Sequence, residues 1–304
     1  MNISVTIGKA IFQNPVTVAS GTFGHSQKYY DLEEVQQLGA LTPKTVTLKA
    51  REGNPPPRIF ETPSGMLNAI GIENPGADGF IKSKLPALKK TGIPLIISVL
   101  GHTDKEFEML TEKFNAVSGV SAIELNLSCP NLGKKVLAAQ DPMAAYRIVK
   151  AVKKISRYPV IAKLSPNVTD VTMIARAAAE AGADALSLIN TLLALAVDAA
   201  TWRPRIATVT GGLSGPAVKP VALRMVLQVR RALPKMPIIG LGGIMTAEDA
   251  AEFLLCGASA VQIGTANYVD PKTSLTIVQG LARYAAGQKV SRMSQLVGTL
   301  RDGR

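Results

Sequence analysis

Short apolar runs of β type recur eight times along the 304-residue chain, with amphipathic helical stretches between several of them. The runs are VTVAS, LTPKTVTL, LIISVL, AIELNLS, VIAKLS, ALSLIN, IIGLGG and AVQIGT. Between them, DKEFEMLTEKFNAV, PMAAYRIVKAVKKI, VTMIARAAAEAG and TAEDAAEFLLCG carry apolar residues at helical spacing, two of them with Gly just past the end. Strand–helix alternation implies parallel strands, and eight is the strand count of a (β/α)8 TIM barrel. The expected fold is therefore α/β, with one barrel domain spanning residues 1–304. An N-terminal hairpin (ISVTIG, then AIFQNP) precedes the first run. Composition agrees: 47% of residues are hydrophobic but only 5% aromatic, so the core is built from Ala, Val, Ile and Leu, as in parallel strands covered by helices.

Two segments break the repeat, residues 50–93 and 197–221. Their Gly and Pro content marks long excursions over the C-terminal face, and long loops in compact domains usually serve function. The formal charge of +12 is spread as short pairs such as Lys89-Lys90, Lys134-Lys135, Lys153-Lys154 and Arg230-Arg231. No long basic run or interleaved aromatics accompany them, so a solvated surface is favoured over a nucleic-acid partner. The two cysteines, Cys129 and Cys256, lack a neighbouring Cys or His at metal-ligand spacing, which argues against a disulfide scaffold or a metal site and fits a reducing cytoplasm. The N-terminus holds no apolar run of signal-peptide length, and no segment reads as a membrane span.

Barrels of this kind build their sites from strand C-terminal ends and the loops that follow. Here those ends carry Ser20 with Gly21 and Thr22, Lys44 with Thr45, Ser98, Asn126 with Cys129, Lys163, Asn190 with Thr191, Gly242 with Gly243, and Gly264 with Thr265. The seventh and eighth ends bear glycines where barrels often bind phosphate through backbone amides, which makes Gly242, Gly243, Gly264 and Thr265 candidates for that role. Lys44 and Lys163 lie in strand-like runs where an unpaired ammonium is costly. No acid stands at the neighbouring strand ends, so an anionic ligand is the expected partner of both. Cys256, inside FLLCGASA, reads as a small buried hydrophobe. Cys129 lies in a loop between two asparagines and before Pro130, a setting that favours a reactive thiol. His25 and His102 have no carboxylate at a matching position to orient them and are read as surface or loop residues.

Taken in order, SGTFG, TPKTVT, SGMLNAIGIENPG, ELNLSCPN, AKLSPNVTD, LINT, TGGLSGPAVKP, GLGGI and QIGTA make the chain resemble a class 1 dihydroorotate dehydrogenase over essentially its whole length, and more specifically the class 1B catalytic subunit. The resemblance implies an FMN flavoprotein of pyrimidine biosynthesis. Cys129 would be the base that takes the C5 proton of dihydroorotate while hydride passes from C6 to the flavin. A thiol is partly ionised at working pH, whereas a serine would need a further activator. Lys44, Asn68, Ala69, Ile70, Gly71, Ile72, Asn126, Asn190 and Thr191 would hold dihydroorotate or orotate. Ser20, Lys44, Thr45, Ser98, Asn126, Lys163, Ile189, Gly215, Gly242, Gly243, Gly264 and Thr265 would hold FMN, with Lys163 stabilising charge on the reduced ring.

Two departures stand out: Ser98 occupies the place of a family asparagine that touches the flavin, and TWRP replaces a basic tripeptide after AVDAA. LINT and TGGLSGPAVKPVALRM match class 1B rather than 1A. Class 1B implies a partner electron-transfer subunit carrying FAD and a [2Fe-2S] cluster that passes electrons to NAD, around a homodimeric core within a heterotetramer. Two cysteines are too few to ligate that cluster, so it belongs to the partner. The alternatives are a fumarate-dependent class 1A enzyme, a tRNA dihydrouridine synthase, which usually appends a helical RNA-binding domain, and a non-catalytic basic binding protein.

Overall fold

The computed structural model describes residues 3–22, 32–128, 138–301 and 303. All eight strand-like runs become strands of one parallel sheet: β1 (Val16–Val18), β2 (Val46–Thr47), β3 (Ile96–Leu100), β4 (Ala122–Asn126), β5 (Val160–Lys163), β6 (Ala185–Leu188), β7 (Ile238–Leu241) and β8 (Ala260–Ile263). Neighbours pair in sequence order from β2 to β8, and β8 pairs with β1 through Val261↔Val16 and Ile263↔Val18. The ring closes between β1 and the entry to β2 through a single parallel bridge, Thr17↔Ala40. The hairpin Val5–Ile7 with Ala10–Phe12 precedes β1, as expected.

The four helical stretches read from sequence form the helices α1 (Asp104–Asn115), α2 (Pro142–Ile155), α3 (Val171–Glu180) and α5 (Ala247–Cys256); α4 (Lys219–Ala232) and α6 (Thr273–Gly287) complete the long helices of the outer layer. Their starts are fixed by side chains that satisfy amides left without helical partners. Thr103 accepts from Glu106 N at 3.1 Å, Asp141 from Met143 N at 2.9 Å and Asp170 from Thr172 N at 2.8 Å. Thr246 and Asp249 form a reciprocal capping box on α5, which stops at Gly257 in the left-handed region (φ 117°). The helices bury their apolar faces on the outside of the barrel, where Phe253 of α5 is fully buried.

The two excursions are more ordered than their composition suggests, and the second begins earlier than expected, at Leu192 rather than Val197. Strands Leu192–Leu195, Thr210–Ser214, Gly65–Asn68 and Ile59–Thr62 pair in that order as a four-stranded antiparallel sheet, and Val197–Asp198 pairs with Arg203–Pro204. The glycines that read as turn signals in fact mark places where a neighbouring backbone or side chain approaches too closely for a Cβ. A Cβ on Gly65 would lie 2.1 Å from Ser214 O, and one on Gly212 would lie 2.1 Å from Thr191 Oγ1.

Gly240 meets the same constraint on the outer face of β7, where an added Cβ would sit 2.4 Å from the Phe253 ring. Gly240→Ala is expected to overpack this contact and destabilise the chain by roughly 1–3 kcal/mol, read as a lowered urea midpoint at unchanged slope.

Candidate active site

Alternation along each strand sends every second residue into the barrel. In this chain several of those residues are polar. Ser98, Glu124, Lys163, Ser187 and Gln262 are all nearly or fully buried. Glu124 anchors the group: its Oε2 accepts from Ser187 Oγ at 2.9 Å and from Gln262 Nε2 at 3.2 Å, and its Oε1 lies 3.7 Å from Lys163 Nζ. This corrects the expectation that no acid stands near Lys163. Glu124 was overlooked because it lies two residues before the strand end, but it projects on the same side as Asn126, and β5 brings Lys163 alongside Asn126 in register. Ser98 shares its hydroxyl with Thr45 Oγ1 at 3.0 Å, and Thr45 continues to Ser20 Oγ at 3.3 Å.

Above this layer the strand ends surround one cavity. Of the candidates read from sequence, Ser20, Lys44, Thr45, Asn68, Ile70, Gly71, Ile72, Asn126, Lys163, Ile189, Asn190, Thr191, Gly215, Gly242, Gly243, Gly264 and Thr265 line it. Ser98 and Ala69 do not. Ser98 lies beneath Thr45, and Ala69 turns its carbonyl to Asn54 Nδ2 at 2.8 Å. Cys129 and His25 fall outside the described residues, although Ser128, which leads into Cys129, borders the cavity. Sequence reading passed over Met66, Leu213, Ser214 and Gln262, which also line it. Three of these come from the upper sheet, and Gln262 was hidden inside an otherwise apolar strand.

Cations and amides dominate one side of the cavity. Burial pushes the Lys44 ammonium below the ordinary lysine value; Glu73 opposes that shift and Arg58 adds to it. Neither a hydrogen bond nor an ion pair joins Lys44 to another described residue. Asn190 Nδ2 reaches Asn126 Oδ1 at 3.4 Å, Asn190 Oδ1 accepts from Thr191 N at 2.8 Å, and Asn68 Nδ2 donates to Gly212 O at 3.2 Å. At the opposite end Gly215, Gly242 and Gly243 take positive φ of 96°, 120° and 79°, and Thr265 Oγ1 donates to Ser214 Oγ at 2.8 Å. Gly243 packs so closely that an added Cβ would lie 2.8 Å from Lys219 N. Ile189, Val218 and Leu241 supply apolar wall between the two ends. Cys256 is a buried free thiol whose pKa burial raises, as its reading from sequence implied.

His102 is more engaged than a surface role suggests. Its Nε2 lies 3.1 Å from Arg51 Nη1, and its backbone N donates to Glu106 Oε2 at 2.7 Å. No group of three metal-ligating side chains occurs among the described residues, and no described helix is long and apolar enough to cross a membrane.

A parallel eight-stranded barrel with buried cations, side-chain amides and glycine-lined turns gathered at its strand ends has the layout of an enzyme of the (β/α)8 class. The sequence profile described as Dihydroorotate dehydrogenase matches residues 2–284. Relatives named dihydroorotate dehydrogenase B (NAD(+)), catalytic subunit, include those of Citrifermentans bemidjiense and Geobacter sp. strain M21, each 49% identical over 300 residues, and that of Geobacter sulfurreducens at 48%; every one of these alignments covers 98% of both chains. The chain belongs to the dihydroorotate dehydrogenase family of oxidoreductases.

The Glu124–Lys163 pair yields a stability prediction. Lys163→Met leaves a carboxylate buried without its cation, which should cost roughly 3–5 kcal/mol, while the double variant with Glu124→Gln should regain most of that loss. Urea unfolding of the flavin-free proteins measures both.

Proposed function

We propose that this chain oxidises (S)-dihydroorotate to orotate with FMN as its redox group, as the catalytic subunit of a complex that delivers electrons to NAD. One observation carries the reading: Lys44, Asn68, Asn126, Asn190 and Lys163, drawn from five separate segments of the chain, converge on the cavity that the glycines of the last two strand ends also line.

The residues fit FMN. Ile189, Val218 and Leu241 offer apolar surface to a planar ring, and Gly215, Gly242 and Gly243, where close packing leaves little room for a side chain, bring backbone amides to the phosphate end. Once bound, FMN supplies the hydride acceptor. The chain's own residues then have separable tasks. Lys163 places a cation where negative charge gathers on reduction, and Glu124 anchors it. Lys44, with no described protein partner, meets the anionic substrate. Asn68, Asn126 and Asn190 orient the pyrimidine amides, and Thr191 lies beside them. The amides of Ile70, Gly71 and Ile72 carry no hydrogen bond among the described residues and suit the substrate carboxylate. Cys129, one residue beyond the cavity-lining Ser128, removes the C5 proton. Ser98 acts on the cofactor through Thr45 rather than by direct contact.

The relatives' shared description as an NAD(+) catalytic subunit supports a separate electron-transfer subunit, to which we assign FAD and the [2Fe-2S] cluster. Exposed apolar side chains on the upper sheet and the neighbouring hairpin, Leu193, Val197 and Trp202, support burial against protein in a homodimeric core. A cytoplasmic location accords with the free thiol of Cys256.

Two measurements test the reading. The purified chain should bind one FMN that dihydroorotate bleaches anaerobically, without reducing NAD unless the partner is present. A flavin that ignores dihydroorotate overturns the assignment. Cys129→Ser should retain FMN and orotate yet slow bleaching at neutral pH by about a hundredfold to ten-thousandfold, with the rate recovering as pH rises because a hydroxyl ionises far above a thiol. Stopped-flow absorbance across pH separates this from a structural cysteine, for which the remaining flavin would be reduced at the normal rate.

A further inference from the structure

The segment 69–72, of which Ile70, Gly71 and Ile72 line the cavity, is held from behind by donors on each of its four consecutive carbonyls. Asn54 Nδ2 donates to Ala69 O at 2.8 Å, Asn54 N to Ile70 O at 3.0 Å, Arg51 Nε to Gly71 O at 3.3 Å and Asn74 Nδ2 to Ile72 O at 2.8 Å. The wall does not relax into this form by itself, because Gly71 and Ile72 both take positive φ, 77° and 55°, and the second is β-branched. The rear segment is fixed in turn. Arg51 and Asn74 exchange backbone hydrogen bonds at 2.9 and 3.0 Å, Asn74 Oδ1 accepts from Thr47 N and Gly76 N, and Arg51 Nη1 rests on His102 Nε2. A Cβ on Gly53 would lie 2.5 Å from Ile70 O and one on Gly71 would lie 2.6 Å from Asn54 N, so the two layers are in direct contact.

We propose that Asn54 is a positioning residue for the substrate carboxylate: it turns the Ala69 and Ile70 carbonyls away from the ligand and holds the Ile70, Gly71 and Ile72 amides open to it. Arg51 does the same at Gly71, steadied by His102. The inference rests on the dihydroorotate reading. Without these donors the loop relaxes, its carbonyls become free to face an anion, and the grip weakens for carboxylate-bearing ligands alone. The flavin contacts lie on other strand ends and are not involved.

The test uses the FMN-loaded chain with Asn54→Asp, which keeps the shape but cannot donate to Ala69 O, and Asn54→Ala, which removes the side chain without adding charge. Arg51→Met is a further variant at the other end of the brace. Orotate affinity is read from the perturbation of the flavin spectrum. All three should raise the orotate Kd and the dihydroorotate KM about tenfold or more, the scale of one well-placed hydrogen bond. Bleaching at saturating dihydroorotate should stay within about twofold of the parent rate, and FMN affinity should be unchanged. An orotate Kd within about twofold of the parent in both Asn54 variants overturns the proposal, as does a parallel loss of FMN and orotate, which would mark a merely structural residue. Failure of the parent chain itself to bind orotate would instead strike the underlying reading, so the two failures are distinguishable.

Discussion

A carboxylate sealed from water inside a β-barrel must be compensated on the spot, and Glu124 sets that requirement for this molecule. Its two oxygens gather Ser187, Gln262 and Lys163 from three other strands, so the polar floor of the cavity comes from strands 4, 5, 6 and 8 together. An all-aliphatic interior would fold as readily and be easier to stabilise. What the charged layer adds is a lysine fixed at the base of the cavity, where a flexible surface lysine would be free to wander. The cost of the buried charge is offset by hydrogen bonds that reach across the barrel to Ser187 and Gln262 on strands that are not its neighbours.

Much of the barrel was legible in the sequence because its signals are local. Eight apolar runs and four amphipathic stretches became strands and helices, most of them at nearly the expected bounds; the exception is the run 41–48, which keeps only Val46–Thr47 as strand and leaves Lys44 just before it. Polar residues at the strand ends pointed to a common cavity, since a strand end in a parallel barrel has only one place to face. The sheet formed by the two excursions could not be read in this way. Its pairing joins residues such as Asn68 and Gly212, far apart in the chain, and its strands are rich in glycine where close backbone approach outweighs β propensity. Glu124 escaped for a different reason. A single acid inside an apolar run is conspicuous, but its partner lies on the adjacent strand and only the register reveals the pair.

The contrast between the two lysines shows how burial and partnership divide labour. Lys163 is the more deeply buried, and its charge is matched within the protein. Lys44 stands in the open part of the cavity, its pKa depressed mainly by desolvation, and it has no described protein partner. Sequence treated the two as equivalent. The structure separates a fixture of the scaffold from a group left for a ligand, and this distinction gives the cavity a polarity, with one side internally balanced and the other awaiting an anion.

The upper sheet ties the two excursions into a single roof, because the strand pair from residues 192–214 joins the pair from 59–68 along one seam, Thr210–Ser214 against Gly65–Asn68, where glycine contacts leave almost no slack. Such a roof links the evolutionary histories of its halves. An insertion or a bulkier side chain in one excursion would need an answering change in the other, so substitutions there should prove epistatic. Grafting one excursion from a distant homologue without its counterpart should leave an intact barrel with a misfitted ceiling.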